Sequence, residues 1–447
     1  MQIATGTVSH RSIQNATKQV IKDVIEDING TPDFVVVAFT PNYNEKRKYE
    51  EALSRICEES GTDNIIGGTF PGVATSNSLP TIQGCAVMAV KTDEMKIQSP
   101  FAYSNVRTKP NKGAQKIQEA YDNANETSKM GFLLTTGPFF QPNAFEQMKT
   151  LDTIFALKFR KMFNLIGRLI NKNMGKNGYG TTTFADRILK ILAERGVKNL
   201  IGGATIDLNM KSCFQFAGDK VFRNALVGTV FSSNKLHFGH SWTFDKSQKN
   251  KNYSFTDYLK SSGYIQKIDK KPANEAFLDL IGIPKDLYEE AFSKFSYASL
   301  LYLSAIKDEK EDYVPFVSVC HPILDGVVST VPERVFDGSD TKADFFTQSG
   351  TGIQRSAFEC AKDITRNLSN LRFGVFVNCS NRLLIAGDKI DKENAMIKEA
   401  IGKEIPFITL YSGGEFSLIN GRPIYSAVSV HGMVAGELKS SAKNVVF

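Results

Sequence analysis

No stretch of this 447-residue chain is apolar enough to cross a bilayer, since no window holds 18 uncharged apolar residues. The start, MQIATGTVSH, lacks the basic-then-apolar run of a secretory signal. Cysteine is scarce and dispersed, at Cys57, Cys85, Cys213, Cys320, Cys360 and Cys379, with no C-x-x-C pair. That excludes a zinc knuckle or a disulfide framework and fits a reducing compartment. Histidine numbers only five, without a His-Glu-x-x-His or an acid cluster to build a metal site. The Gly-rich run NMGKNGYG, Asn173 to Gly180, has no Walker spacing, which argues against a phosphate cradle. A net charge of +7 is mild for this length, and no basic motif interleaved with aromatics accompanies it. Nucleic acid is therefore not an expected partner. What remains is a cytoplasmic globular protein whose length predicts two to four domains.

What is present is a pattern stated twice. The first unit runs FVVVAF (Phe34 to Phe39), a helical stretch around Lys46 to Glu59, NIIGGT (Asn64 to Thr69) and GCAVMAV (Gly84 to Val90). The second runs GFLLTTG (Gly131 to Gly137), a helix around Phe184 to Glu194, NLIGGAT (Asn199 to Thr205) and NALVGTVF (Asn224 to Phe231). Short apolar runs alternating with amphipathic helices predict α/β units. Each glycine pair closes a strand that follows a helix. Such strand ends form ligand crevices in open α/β sheets, and bare glycines equally let two halves pack closely.

The second half predicts a further α/β domain. GYIQKIDKKPANEAFLDLIG (Gly263 to Gly282) reads as a strand, a Lys-Lys-Pro turn and a helix with Ala273, Ala276, Phe277 and Leu280 on one face. A helix near Ile353 to Asn367, the strand FGVFVNCS (Phe373 to Ser380) and a helix Lys392 to Ile401 lead into TLYSGGEFSLINGRP, Thr409 to Pro423. Glu415 stands there straight after two glycines. The boundary between the halves is placed in the Lys/Asn/Ser linker between Asp245 and Phe255, and the last residues read as a tail.

The TLYSGGEF stretch resembles the Tyr-Ser-x-Gly-Glu motif of FIST sensory domains. NCSNR (Asn378 to Arg382), IGGATID (Ile201 to Asp207) and GYIQKIDKKPANEAF are similar to three further motifs of that family, in the family's order. The resemblance implies a FIST N-terminal region at 1–245 with two internal repeats, a FIST C-terminal region at 250–436 and a tail at 437–447. It also implies a signal-input module that binds a small ligand, an amino acid or related metabolite, and acts through a separate protein partner. The chain departs from the family at Tyr425 to Val428, where relatives carry His-Asn-x-Thr and the nearest histidine here is His431. Some relatives bind haem. His321 and His431 are the first candidates for an axial ligand here.

The residues implied to contact the ligand are Arg382, Tyr411, Gly413, Gly414 and Glu415, facing Gly202, Gly203 and Asp207 from the amino-terminal half. An arginine fork suits a carboxylate and a carboxylate suits an ammonium, so the Arg/Glu pair would hold a zwitterion. Alternatively Arg382 and Glu415 pair with each other and shape the fold. Cys379 has no histidine near it in sequence, and reads as a small buried hydrophobe rather than a nucleophile. No nucleophile–base pair emerges, so an enzyme is not expected. Finally, Phe155 to Lys176, inside an inserted helical stretch at about 146–176, carries six basic and no acidic residues on an amphipathic pattern. It either packs on its own domain, docks on a partner or lies peripherally on an anionic membrane.

Overall fold

The computed structural model describes residues 1–43, 45–137, 183–207, 213–258, 264–284, 302–308, 310, 312–320, 328–331 and 341–442. The expected α/β class is observed, and the repeated unit occurs three times rather than twice. Each copy contains a pair of parallel strands: Phe34–Phe39 with Ile65–Thr69, Ser128–Thr136 with Leu200–Thr205, and Leu368–Cys379 with Phe407–Ser412. On the other side of the first strand of each pair lies an antiparallel strand: Gly84–Lys91, Ala225–Ser233 and Val430–Leu438 respectively. Helices connect them where the periodicity places them, at Lys46–Ser60, Thr183–Glu194 and Ile390–Ile401. Helices Ile13–Glu26, Pro110–Asn123 and Gly350–Ile364 lead into the first strands. Lys46–Ser60 closes on Gly61 in the left-handed region, φ 70°.

Strands this uniformly apolar are buried on both faces. Val36 and Ala38, Phe132 and Leu134, and Val375 and Val377 all enter one shared central core. The alternate residues turn outward, Val35 and Val37 onto the first helix pair, Leu133 and Leu200 onto the second, and Phe376 and Phe407 onto the third. Three sheets thus share one centre, each covered outside by its own two helices.

The sheets are completed by exchange around the ring. The strand Ile65–Thr69 of the first unit pairs with Gln215–Ala217 of the second. Leu200–Thr205 of the second pairs with Glu415–Ile419 of the third. Phe407–Ser412 of the third pairs with Gly72–Thr75 of the first. Gln215–Ala217 and Glu415–Ile419 are each the first arm of a hairpin, whose second arms are Lys220–Phe222 and Arg422–Ser426. The first glycine of each pair lets the parallel strands of its own unit approach closely. A Cβ on Gly67 would lie 1.9 Å from the carbonyl oxygen of Val37, and one on Gly202 would lie 2.2 Å from that of Leu133.

Between the strand His237–Thr243, which pairs with Val430–Leu438 of the third unit, and the helix Gly350–Ile364 comes an antiparallel sheet that includes Lys249–Tyr258, Tyr302–Lys307, Tyr313–Cys320 and Thr341–Thr347. Within it, Tyr264–Ile268 and the helix Ala273–Leu280 follow the expected order, with Ala273, Ala276 and Phe277 buried. The expected basic helix at 155–176 lies outside the described residues.

Candidate functional site

The Glu415–Ile419 strand alternates cleanly. Phe416 and Leu418 face the helices of the second unit, so Glu415 and Ser417 face the centre. Glu415 is directly opposite Gly203 on one side and Ser426 on the other. Gly413 donates its N–H to the Ala204 carbonyl at 2.8 Å, and Ala204 donates to the Gly414 carbonyl at 2.9 Å. The structure thereby brings together Gly202, Gly203, Gly413, Gly414 and Glu415, five of the residues expected to act together. Asp207 follows two residues beyond the end of Leu200–Thr205 and is buried.

The Glu415 carboxyl is fully buried. Ser412 Oγ donates to its Oε1 at 2.8 Å, and Ser429 Oγ lies 3.0 Å from its Oε2. Burial raises its pKa to about 8, against the lowering effect of these hydroxyls and of the nearby Arg382 charge. At neutral pH the group therefore carries a proton. Ser429 Oγ lies 2.8 Å from Ser426 Oγ, and Ser426 Oγ lies 2.8 Å from His431 Nε2. On the other side of the ring, His431 Nδ1 is 3.0 Å from Ser417 Oγ. Trp242 covers the imidazole with ring centroids 5.6 Å apart. Burial, then the Arg382 charge, lowers the His431 pKa to about 3, so the ring is neutral.

Arg382 and Tyr411 belong to a separate cluster. The partner of Arg382 is not Glu415 but Glu393, reached by Nε at 2.6 Å, with both side chains fully buried. Its remaining donors go to the carbonyls of Val428 (3.0 Å) and Ile353 (2.8 Å) and to Ser356 Oγ (3.0 Å). Tyr411 donates to the other Glu393 oxygen at 3.1 Å. Val428 has φ 54°, a conformation costly for a β-branched residue. Arg382 holds that strained turn, which sets Ser426 and Ser429 in place. Cys379 is buried, and desolvation, then the Glu415 charge, raises its thiol pKa, so it is no nucleophile.

Sequence reasoning did not single out Glu393, Ser412, Ser426 or Ser429. Glu393 and Ser412 had a signal: an acid in a helix first turn, and a hydroxyl flanking Gly413. The two serines are polar positions in an otherwise apolar strand–turn–strand, visible only when the three units are laid over one another.

A family model, the FIST N domain, matches residues 33–271, more than half of the chain. The chain belongs to the FIST family. It is thereby a member of a family of small-ligand sensory domains. No curated protein matches the chain. This FIST chain has no helix long and apolar enough to cross a membrane among its described residues. Nor do three His, Cys, Asp or Glu converge on a possible metal site among them. His431 does not fit an axial haem ligand, because both ring nitrogens are engaged by serines and the ring is fully buried. His321 lies outside the described residues. Two surface grooves of the FIST chain lie away from Glu415. One of about 540 Å³ is bordered by Lys46, Glu50, Asp219 and Phe222, and one of about 850 Å³ by Glu94, Lys235, Arg372 and Glu437.

Proposed function

We propose that this FIST chain is a cytoplasmic signal-input protein that takes up a small polar ligand of amino-acid type where its second and third units meet, and passes the event to a separate protein partner. The observation that supports this reading is Glu415, an acid buried among hydroxyls while the neighbouring arginine is committed to Glu393. A group held so far from its ordinary pKa marks a functional-site candidate. An ammonium would give Glu415 the partner it lacks, beside the bare backbone of Gly413-Gly414 and Gly202-Gly203. Asp207 stands near the strand end for a second polar contact. Arg382 and Tyr411 support the site through Glu393 rather than by touching ligand.

Glu415 is closed over, so access to it means parting Glu415–Ile419 from Leu200–Thr205. A ligand that prefers the parted arrangement shifts the population towards it, as a switch requires. The test is native mass spectrometry of the gently purified protein, followed by thermal-shift measurements with the standard amino acids on wild type and Glu415→Ala. A stabilising amino acid whose effect Glu415→Ala loses supports the site. Equal shifts in both proteins sink it. An adaptor reading rests on the basic run Phe155 to Lys176; it predicts that deleting that run removes a bound protein while no small molecule alters melting.

A further inference from the structure

The three exchanged seams can be compared position by position, because each is registered on a parallel strand pair. Ala38, Leu134 and Val377 stand opposite Gly68, Gly203 and Leu410. Across the seam, these last three stand opposite Gln215, Glu415 and Val73. Gln215 is thus the counterpart of Glu415. Its Nε2 donates to Thr205 Oγ1 at 2.6 Å and its Oε1 accepts from the Ala225 N–H at 3.0 Å. Thr205 is the counterpart of Ser412, and Ala225 of Ser429, so the amide reaches the same two positions as the acid, meeting a hydroxyl and a main-chain N–H where the acid meets two hydroxyls.

The surroundings do not repeat. Around Gln215 the matching positions are Ala217, Phe222, Ala225 and Val227. Around Glu415 they are Ser417, Ser426, Ser429 and His431. Packing of this seam is satisfied by apolar residues in one copy and replaced by four polar ones in another. That substitution converts a neutral brace into a continuous hydrogen-bond chain.

We infer that the chain Glu415–Ser429–Ser426–His431–Ser417 is a proton-binding site that locks the hairpin of residues 415–426 onto the second unit when it holds its proton and loosens it when the proton leaves. With the proton on Glu415, its O–H donates to Ser429, Ser429 to Ser426 and Ser426 to His431 Nε2, while Nδ1–H donates to Ser417. Ser429 and Ser426 are each used once as donor and once as acceptor along that direction, and Ser417 accepts at its end. When the proton passes to solvent, the chain reverses and His431 changes tautomer, but a buried anion remains opposite Gly203. The titratable groups facing it are Arg382, Cys379 and His431, with His240 close to the Leu418 main chain. Arg382 is already neutralised by Glu393, and both histidines are held neutral by burial. Parting the seam hydrates the anion, so deprotonation favours parting.

The far side of the hairpin shows what would feel this. Arg422 at its tip bonds Asp308 and Asp312 of the antiparallel sheet, and Ala427 just after it donates to the Pro315 carbonyl at 3.1 Å. Loosening the hairpin therefore acts on that sheet. The proton would regulate ligand uptake only if the proposed input site is real; the test uses no ligand, so the two can fail separately.

The test compares wild type, Glu415→Gln and Ser429→Ala of the full chain. Glu415→Gln copies Gln215 and Ser429→Ala copies Ala225, so each is already accommodated by the fold in another copy. Infrared spectroscopy should show a protonated carboxylic acid band in wild type that disappears near pH 8, is absent from Glu415→Gln and persists to higher pH in Ser429→Ala. Amide exchange over residues 415–426, corrected for the intrinsic rate, should rise by about tenfold per pH unit between pH 6.5 and 8 in wild type, as release of one proton requires. It should stay level in Glu415→Gln. The same exchange profile in wild type and Glu415→Gln, or a wild type without the acid band at pH 6.5, would overturn the inference. The wild-type band needs no variant and decides the protonation even if one variant fails to fold.

Discussion

Gln215 and Glu415, far apart in sequence, occupy matching places in two of three strand exchanges and bond the same two positions through an amide and an acid. A swap follows from this match. Gln215→Glu should place an acid among Ala217, Phe222, Ala225 and Val227, with no polar chain to receive its proton. The variant is expected to melt close to wild type at pH 4.5 and to lose several degrees more than wild type by pH 7.5, measured by calorimetry across that range.

The pH profile of the wild type follows from two opposing groups. The folded pKa of Glu415 is raised from 4.5 to about 8, so its contribution is complete below 4.5 and is lost as pH rises towards 8. The folded pKa of His431 is lowered from 6.5 to about 3, so its contribution is present above 6.5 and is lost as pH falls towards 3. Each is on the order of 5 kcal/mol over its full window. Between 4.5 and 6.5 the slopes cancel. Denaturant unfolding should show a plateau there, an acid limb that His431→Val flattens and an alkaline limb that Glu415→Gln flattens.

Breaking the Arg382–Glu393 pair should be far more damaging than its remote position suggests. Both side chains are fully buried, and removing one partner leaves an uncompensated charge, at about 3–5 kcal/mol. Glu393→Ala and Arg382→Ala should both destabilise the fold by that order in urea titration. Arg382→Ala should also free the strained Val428 turn, seen as faster amide exchange at residues 426–429.

The glycine pair should not tolerate a methyl group. Gly202→Ala would push a Cβ against the Leu133 carbonyl and the ring of Phe416. A clash with backbone cannot relax by side-chain rotation, so a loss of about 3 kcal/mol or more is expected. Gly67→Ala should behave alike inside the first unit, against Val37. Gly196→Ala, where nothing lies within 4 Å, should cost only the strain of φ 82°, about 1 kcal/mol.

At the hairpin tip, Arg422 is only partly exposed and bonds two aspartates. Arg422→Ala should lower global stability by about 1 kcal/mol. Exchange protection in residues 415–426 should fall more than protection in Leu368–Cys379. Equal loss in both would mean that the contact braces the whole molecule rather than the hairpin.

Much of the framework was legible. The helices at 46, 184 and 392 announced themselves by apolar spacing, and each lies within two residues of its expected start. Glu415 was visible as an acid after two glycines. The third copy of the unit was not legible as such, because Thr409 and Leu410 stand where Gly67-Gly68 and Gly202-Gly203 stand, and its glycine pair follows the strand instead of ending it. The partner of Arg382 was also hidden. Glu415 was the acid considered for it, whereas the acid that pairs with it is Glu393, 11 residues on in the helix Ile390–Ile401, and sequence spacing does not say which acid shares its side of the sheet.

The sequence by itself determined the local elements: apolar runs that must be buried on both faces, helices with one apolar stripe, and bare glycines at strand ends where no Cβ fits. Only the tertiary structure decided which strand borrows which hairpin, because hydrogen-bonded strand edges accept any partner of matching register. The same is true of Glu415's proton. A carboxyl next to two glycines is an ordinary acid in water, and becomes a neutral one only when three sheets close over it and leave serine hydroxyls and a neutral imidazole as its company.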